Sequence, residues 1–157
     1  YVTERWPGGM LTNFVTIRKA IKKMQSIDKM KENGTFETLS KRERLQVDRQ
    51  RAKLEKDFGS VADMNRLPAA LFIVDIKREN IAVDEAIKLG IPTFGIVDTN
   101  SDPRRVDYAI PANDDASRSI AAVMEFVTEG VKGGLSQRKS DKATAEQAKI
   151  DKKAAKA

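Results

Sequence analysis

The chain has 157 residues, enough for one domain with appendages, and contains no Cys and no His, which rules out disulfides, thiol chemistry, Ser-His-Asp or Cys-His catalysis, and zinc sites built on those ligands. Its net charge of +6 is unevenly spread: 13 Lys/Arg against 7 Asp/Glu in residues 18–57, 7 against 3 in residues 135–157, but 8 against 12 in residues 58–134. No apolar run approaches the roughly 20 residues that a membrane helix needs, and a chain without Cys suits a reducing, cytosolic setting.

The first element is a shaped loop, Arg5-Trp6-Pro7-Gly8-Gly9-Met10-Leu11-Thr12-Asn13. Pro7 fixes one backbone angle, and Gly8-Gly9 opens conformations closed to other residues. Thr12 or Asn13 can cap the helix that follows. The loop holds the only tryptophan, set beside a cation. Termini are normally frayed and bland, so such a loop next to Tyr1 is expected inside a longer domain whose first part precedes it.

Phe14 to Lys31 reads as a helix, because Phe14, Ile17, Ile21, Met24 and Ile27 recur at three and four. Arg18, Lys19, Lys22 and Lys23 cluster off that stripe. Asn33-Gly34 breaks the pattern. Ser40-Lys41-Arg42-Glu43 is a capping box that opens a second helix to about Asp57, with Gly59 placed as its terminator. The two make an antiparallel helical hairpin over 14–58. The second helix offers only Leu45, Ala52, Leu54 and Phe58 as apolar positions. The hairpin is therefore expected to project as an arm.

Ala70-Leu71-Phe72-Ile73-Val74 is a continuous apolar run ending at Asp75, the pattern of a strand covered on both faces. Ile81, Ala82, Val83, Ala86 and Leu89 form a helix stripe ending at Gly90. Pro92 to Val97 reads as a second buried strand ending at Asp98, and Asp107 to Ile110 as a short third one. Asn113 or Asp114 then caps a helix carrying Ile120, Val123, Met124, Val127 and Val131, which Gly133-Gly134 ends. This order implies an α/β fold with a doubly wound parallel sheet, Rossmann or flavodoxin-like, of which only the later strands are present in 59–134. Residues 135–157 are rich in Lys, Ala, Ser, Asp and Gln, and are expected to form a basic tail, disordered or nascently helical when unbound.

Three features carry candidate chemistry. Asp75 and Asp98 end neighbouring parallel strands, where open α/β sheets place ligands, and with Asp102, Asp114 and Asp115 could hold Mg²⁺ for phosphotransfer. The competing reading, favoured here, is that they satisfy loop amides and cap helices. No glycine-rich phosphate loop accompanies them. Trp6 could stack on a base, although a lone Trp more often anchors a core. Arg5 is the better candidate for a phosphate contact. Finally, Arg18, Lys19, Lys22 and Lys23 with Lys41, Arg42, Arg44, Arg49, Arg51 and Lys53 could bridge RNA backbones without reading sequence. Against this, such cations can serve only solubility, and pairs such as Asp48 with Arg44 or Arg51, or Glu55 with Arg51, consume part of the charge.

The loop Arg5-Trp6-x-Gly8-Gly9-Met10-Leu11-Thr12-Asn13 before a basic helix resembles that of bacterial small-subunit ribosomal protein two. So do Pro68 to Asp75 with Glu79, Val83, Glu85 and Gly90-Ile91-Pro92, then Gly95 to Pro103, then Pro111-x-Asn113-Asp114-Asp115-Ala116. These blocks run in the family's order over roughly 1–130. Pro7 stands where the family usually has Leu, and the family's first segment is not seen.

The resemblance implies a structural, non-enzymatic constituent of the small ribosomal subunit. In that family the protein is cytoplasmic, binds 16S rRNA, helps dock small-subunit protein one, and inserts a coiled-coil hairpin into its sheet domain. No cofactor, metal, membrane or small-molecule substrate is expected. The residues expected to meet RNA are Arg5, Trp6, Thr12, Asn13, Arg18, Lys19, Lys22, Lys23, Lys41, Arg42, Arg44 and Arg49. The alternatives are Mg-dependent phosphotransfer at Asp75 and Asp98, or a hairpin that binds another protein.

Overall fold

A computed structural model describes residues 1–154 of the chain. It divides into two compact units, Tyr1–Pro111 and a second that begins at Ala112. In the first, α1 (Phe14–Glu32) leads through a one-turn 3-10 helix to α2 (Lys41–Phe58), followed by β1 (Leu71–Val74), α3 (Asn80–Leu89), β2 (Thr93–Val97) and β3 (Tyr108–Pro111). The second unit holds α4 (Ser117–Ala154).

Local chemistry explains the boundaries. Gly34 takes a left-handed φ of 73°, which ends α1 without a Cβ penalty. At α2 the capping box is complete: the Ser40 amide donates to Glu43 Oε2 at 2.9 Å, and the Glu43 amide donates back to Ser40 Oγ at 3.4 Å. Gly59 follows Phe58 as expected, but its φ of −57° is right-handed, and it opens another short 3-10 turn rather than a left-handed stop. Gly90, at φ 64°, does make the left-handed stop after α3.

The three strands are parallel and lie in the order β1-β2-β3. One sheet face packs Ile73 and Val97 with Ile76, Ala82, Val83 and Val106 into a buried cluster. Gly95 lies on this face where a Cβ would sit 2.7 Å from Ile76 Cγ2, so only glycine fits there without displacement. Coverage on both faces does not hold for every strand. Only Ile73 of β1 is fully buried, and β3 has no fully buried residue. Across the opposite face the register aligns Phe72, Phe94 and Tyr108 in a row. The Phe94 and Tyr108 rings stack at 4.5 Å and remain partly open to solvent.

The stripe on α3 also differs from the sequence reading. Ile81 and Leu89 are exposed, while Ala82, Val83, Glu85 and Ala86 are buried. Ala82 and Val83 pack into the cluster on the sheet face and Ala86 packs with Leu11 and Ile91, so the buried arc lies on that side of α3. On α2, Leu45 is exposed, and Val47 rather than Leu45 joins Leu54 and Phe58 among the half-buried positions.

In the second unit Asn113 Oδ1 accepts the amides of Asp115 and Ala116 at 2.9 and 2.8 Å, setting the turn before α4. The helix does not stop at Gly133-Gly134 but continues to Ala154. A helical Gly costs about 1 kcal/mol relative to Ala, and the Ala-, Lys- and Gln-rich residues beyond are good helix formers. Gln137 also donates to Asp141 one turn on, at 3.1 Å. Side chains from Leu135 to Lys142 are all exposed, so the segment gains nothing from burial. The last three residues of the expected tail, 155–157, lie outside the described residues.

Candidate nucleic-acid interface

The loop before α1 is a joint held from two sides. Met10 and Leu11, adjacent in sequence, are 0% and 3% exposed and enter different cores. Met10 packs with Ile17 and Ile21 of α1 and with Val61, at the base of the arm. Leu11 packs with Ala86 and Ile91, beside the sheet. Trp6 touches both of these clusters and also the α3–sheet cluster. Among the described residues it is the one side chain that packs against all three.

Glu85, 6% exposed on α3, closes the joint. Its carboxylate accepts the backbone amides of Gly9, Leu11 and Thr12 at 2.6, 2.7 and 2.9 Å, and the Thr12 hydroxyl at 3.3 Å. Burial pushes the Glu85 carboxyl up. The Thr12, Leu11 and Gly9 amides and the nearby Trp6 indole outweigh it, and the group is held below the usual glutamate range. The indole N–H is itself buried without a hydrogen bond of good geometry among the described residues. Gly9 has a φ of 85°, which lets three neighbouring amides converge on one carboxylate.

Beyond the joint, two interhelical ion pairs fix the faces of the arm. Arg51 Nε meets Asp28 at 2.8 Å, and Lys31 Nζ meets Asp48 at 2.6 Å. Arg51 also holds Glu55 at 3.1 Å, and Arg44 Nε donates to the Leu39 carbonyl at 3.0 Å. The inward side of α2 is thus marked by Arg44, Asp48, Arg51 and Glu55. At about 100° per residue, Arg42, Arg49 and Lys53 fall on the opposite side. The buried stripe Ile17, Ile21, Met24 and Ile27 marks the inward side of α1, and by the same geometry Lys19, Lys22 and Lys29 lie opposite it. These six cations are exposed, and none is in an ion pair among the described residues. The arm therefore carries two unpaired basic stripes, one on the outer side of each helix.

This joint-and-arm chain matches the sequence model of the family Ribosomal protein S2 over residues 1–134. The chain belongs to the ribosomal protein S2 family. It is 72% identical over 142 residues to small ribosomal subunit protein uS2 of Flavobacterium johnsoniae, covering 90% of this chain and 56% of that protein. Identity to uS2 of Christiangramia forsetii is 70% over 141 residues (90% and 47%), and to uS2 of Parabacteroides distasonis 62% over 148 (94% and 53%). The chain spans about half the length of the curated relatives it matches.

Set within the S2 family, the twelve residues named from the sequence fall into three groups. Arg18, Lys19, Lys22, Lys23, Lys41, Arg42 and Arg49 are exposed on the arm without ion pairs among the described residues, and Arg5 is likewise exposed. Arg44 is half-buried and committed to the turn before α2. Trp6, Thr12 and Asn13 belong to the joint: Trp6 faces the cores, Thr12 donates to Glu85, and Asn13 precedes α1 without a side-chain cap. Lys29 and Lys53 extend the stripes and were not among the twelve.

The strand-end aspartates are engaged with backbone. Asp75 sits at a positive φ of 61°, and its Oδ1 accepts the amides of Lys77 and Arg78 at 3.1 and 2.9 Å. Asp98 Oδ1 accepts the Thr99 amide at 2.6 Å. No group of three or more acidic residues is placed to hold a metal among the described residues. A cleft of about 480 Å³ by the start of β3 includes Arg104 and Arg105 in its lining. Arg104 is held at 3.0 Å by Asp102, and Arg105 by Asp84, so both cations are already in ion pairs.

Proposed function

We propose that this chain is a structural part of the small ribosomal subunit that holds 16S rRNA through the two outer stripes of its α1–α2 arm. The observation that carries the reading is the partition of charge on the arm. On the inner side Lys31 and Arg51 are consumed by Asp48, Asp28 and Glu55 and Arg44 by the Leu39 carbonyl, while the cations of the outer sides are left without ion pairs among the described residues. Unpaired Lys and Arg on a stiff two-helix element suit phosphate contact without base readout. Two opposed stripes suit an antiparallel hairpin lying between two stretches of RNA backbone, inserted in a doubly wound sheet domain that the full family protein completes. Arg5 extends the contact at the base of the arm.

The segment 58–134 bears a net −4, which suits protein neighbours better than phosphate. Helping to dock small-subunit protein one is assigned to that side. The chain acts in the cytoplasm as a component of the particle, and it catalyses nothing. Sedimentation with small subunits lacking this protein, over a salt series, tests the reading. Binding that weakens steeply with salt supports it, and a flat response refutes it.

A further inference from the structure

We infer that Glu85 is the positioning residue of the arm, a buried carboxylate on the sheet side that fixes the direction in which both basic stripes are presented. The inference rests on the RNA reading above and adds to it the element that pre-orients the contact.

Three observations converge. The residues whose amides Glu85 binds, Gly9, Leu11 and Thr12, directly precede the start of α1 at Phe14. The Asn13 amide donates to the Gly9 carbonyl at 2.9 Å, so the held loop runs into the helix without a free joint between them. Met10 and Leu11 divide between the arm-base core and the sheet-side core, so a change in loop path would pull one of them out. Apolar packing alone tolerates small rotations of the arm, because it has no preferred direction. Three charge-assisted bonds to one carboxylate do not, because their geometry is directional. Glu85 is in no ion pair among the described residues and is 6% exposed, so it is not itself a phosphate contact.

A ligand that binds one orientation has an apparent affinity reduced by the fraction of molecules in that orientation. Releasing the arm therefore weakens RNA binding without removing any phosphate contact.

The chain has no Cys, so a pair introduced at Glu37, near the arm tip, and Lys88, on α3, can be spin-labelled uniquely. Electron–electron distance distributions are then measured in the full chain for Glu85, Glu85→Gln and Glu85→Asp. The shorter Asp keeps the charge but does not span all three amides, and it carries the test if the Gln variant does not fold. The inference expects one narrow distribution with Glu85 and a broad one in each folded variant. It also expects about tenfold weaker binding to small subunits if the competent fraction falls to about a tenth, with an unchanged salt slope. A distribution that stays narrow in a folded variant overturns it. So does a salt slope that falls along with affinity, since that marks lost phosphate contacts. If the unaltered chain binds without salt dependence, the RNA reading fails, and the spin-label distances still decide the role of Glu85.

Discussion

Neutralising the outer stripe of α2 gives the most quantitative test of the arm. The triple variant Arg42→Gln, Arg49→Gln and Lys53→Gln removes three cations that make no ion pair among the described residues. Gln is a good helix former, so α2 persists, as far-UV circular dichroism should confirm. If all six outer cations reach phosphate, the slope of log K against log salt is about −4 to −5, and the variant should lose about 2 to 3 of it. At 0.1 M salt that is about a hundred- to five-hundred-fold loss of affinity, vanishing near 1 M. Arg51→Gln is the control. It breaks the pairs with Asp28 and Glu55 and loosens the arm, but should leave the slope unchanged. Parallel lines for the triple variant and the unaltered chain would refute phosphate contact by this stripe.

Other consequences concern the fold. Glu85→Ala strips three amides of their acceptor and should destabilise the chain by about 2–4 kcal/mol, since buried unsatisfied donors cost about 1–3 kcal/mol each and only the Leu11 bond is fully buried. Urea unfolding followed by the single tryptophan measures this at the joint itself. Because the native Glu85 carboxyl lies below its ordinary value, its stabilisation is complete above about pH 4.3 and is lost as pH falls through the native value. Glu85→Gln should flatten that portion of the stability–pH curve. Gly95→Ala places a Cβ against Ile76 and Val106 and should cost about 1–3 kcal/mol as overpacking, read as a lower midpoint in thermal melts. Ser40→Ala removes the capping box and should cost about 1 kcal/mol, with faster hydrogen exchange confined to the first turn of α2.

Local patterns were readable because their causes are local. The stripe Ile17, Ile21, Met24 and Ile27 is the buried face of α1 because helical periodicity and burial are the same constraint seen twice. The Ser40–Glu43 box is read from spacing alone because both partners lie within one turn. Strands β1 and β2 are short apolar runs with turn residues after them.

What sequence did not reveal depends on partners far along the chain. Glu85 bonds the loop 73–76 residues earlier, and no periodicity links them. The available signal was a carboxylate three residues past Ala82 and next to Ala86, on a face otherwise apolar. A buried anion there demands donors, and a Gly-rich loop can supply backbone amides. The outer face of α2 was likewise hidden until the ion pairs of Asp28 and Asp48 marked its inward side. Helix α4 ran past Gly133-Gly134 because two unfavourable residues do not stop a helix flanked on both sides by good formers.

The central claim is that both outer sides of the arm lie against rRNA. Lys22→Cys and Arg49→Cys place single thiols on the two stripes of a chain that otherwise has none. An iron chelate tethered at each, in assembled small subunits, would cleave nearby RNA backbone by hydroxyl radicals. The account predicts strong cleavage from both positions, at two different stretches of 16S rRNA, and little from Lys88→Cys on α3. Cleavage from Lys88→Cys with none from either stripe would contradict it.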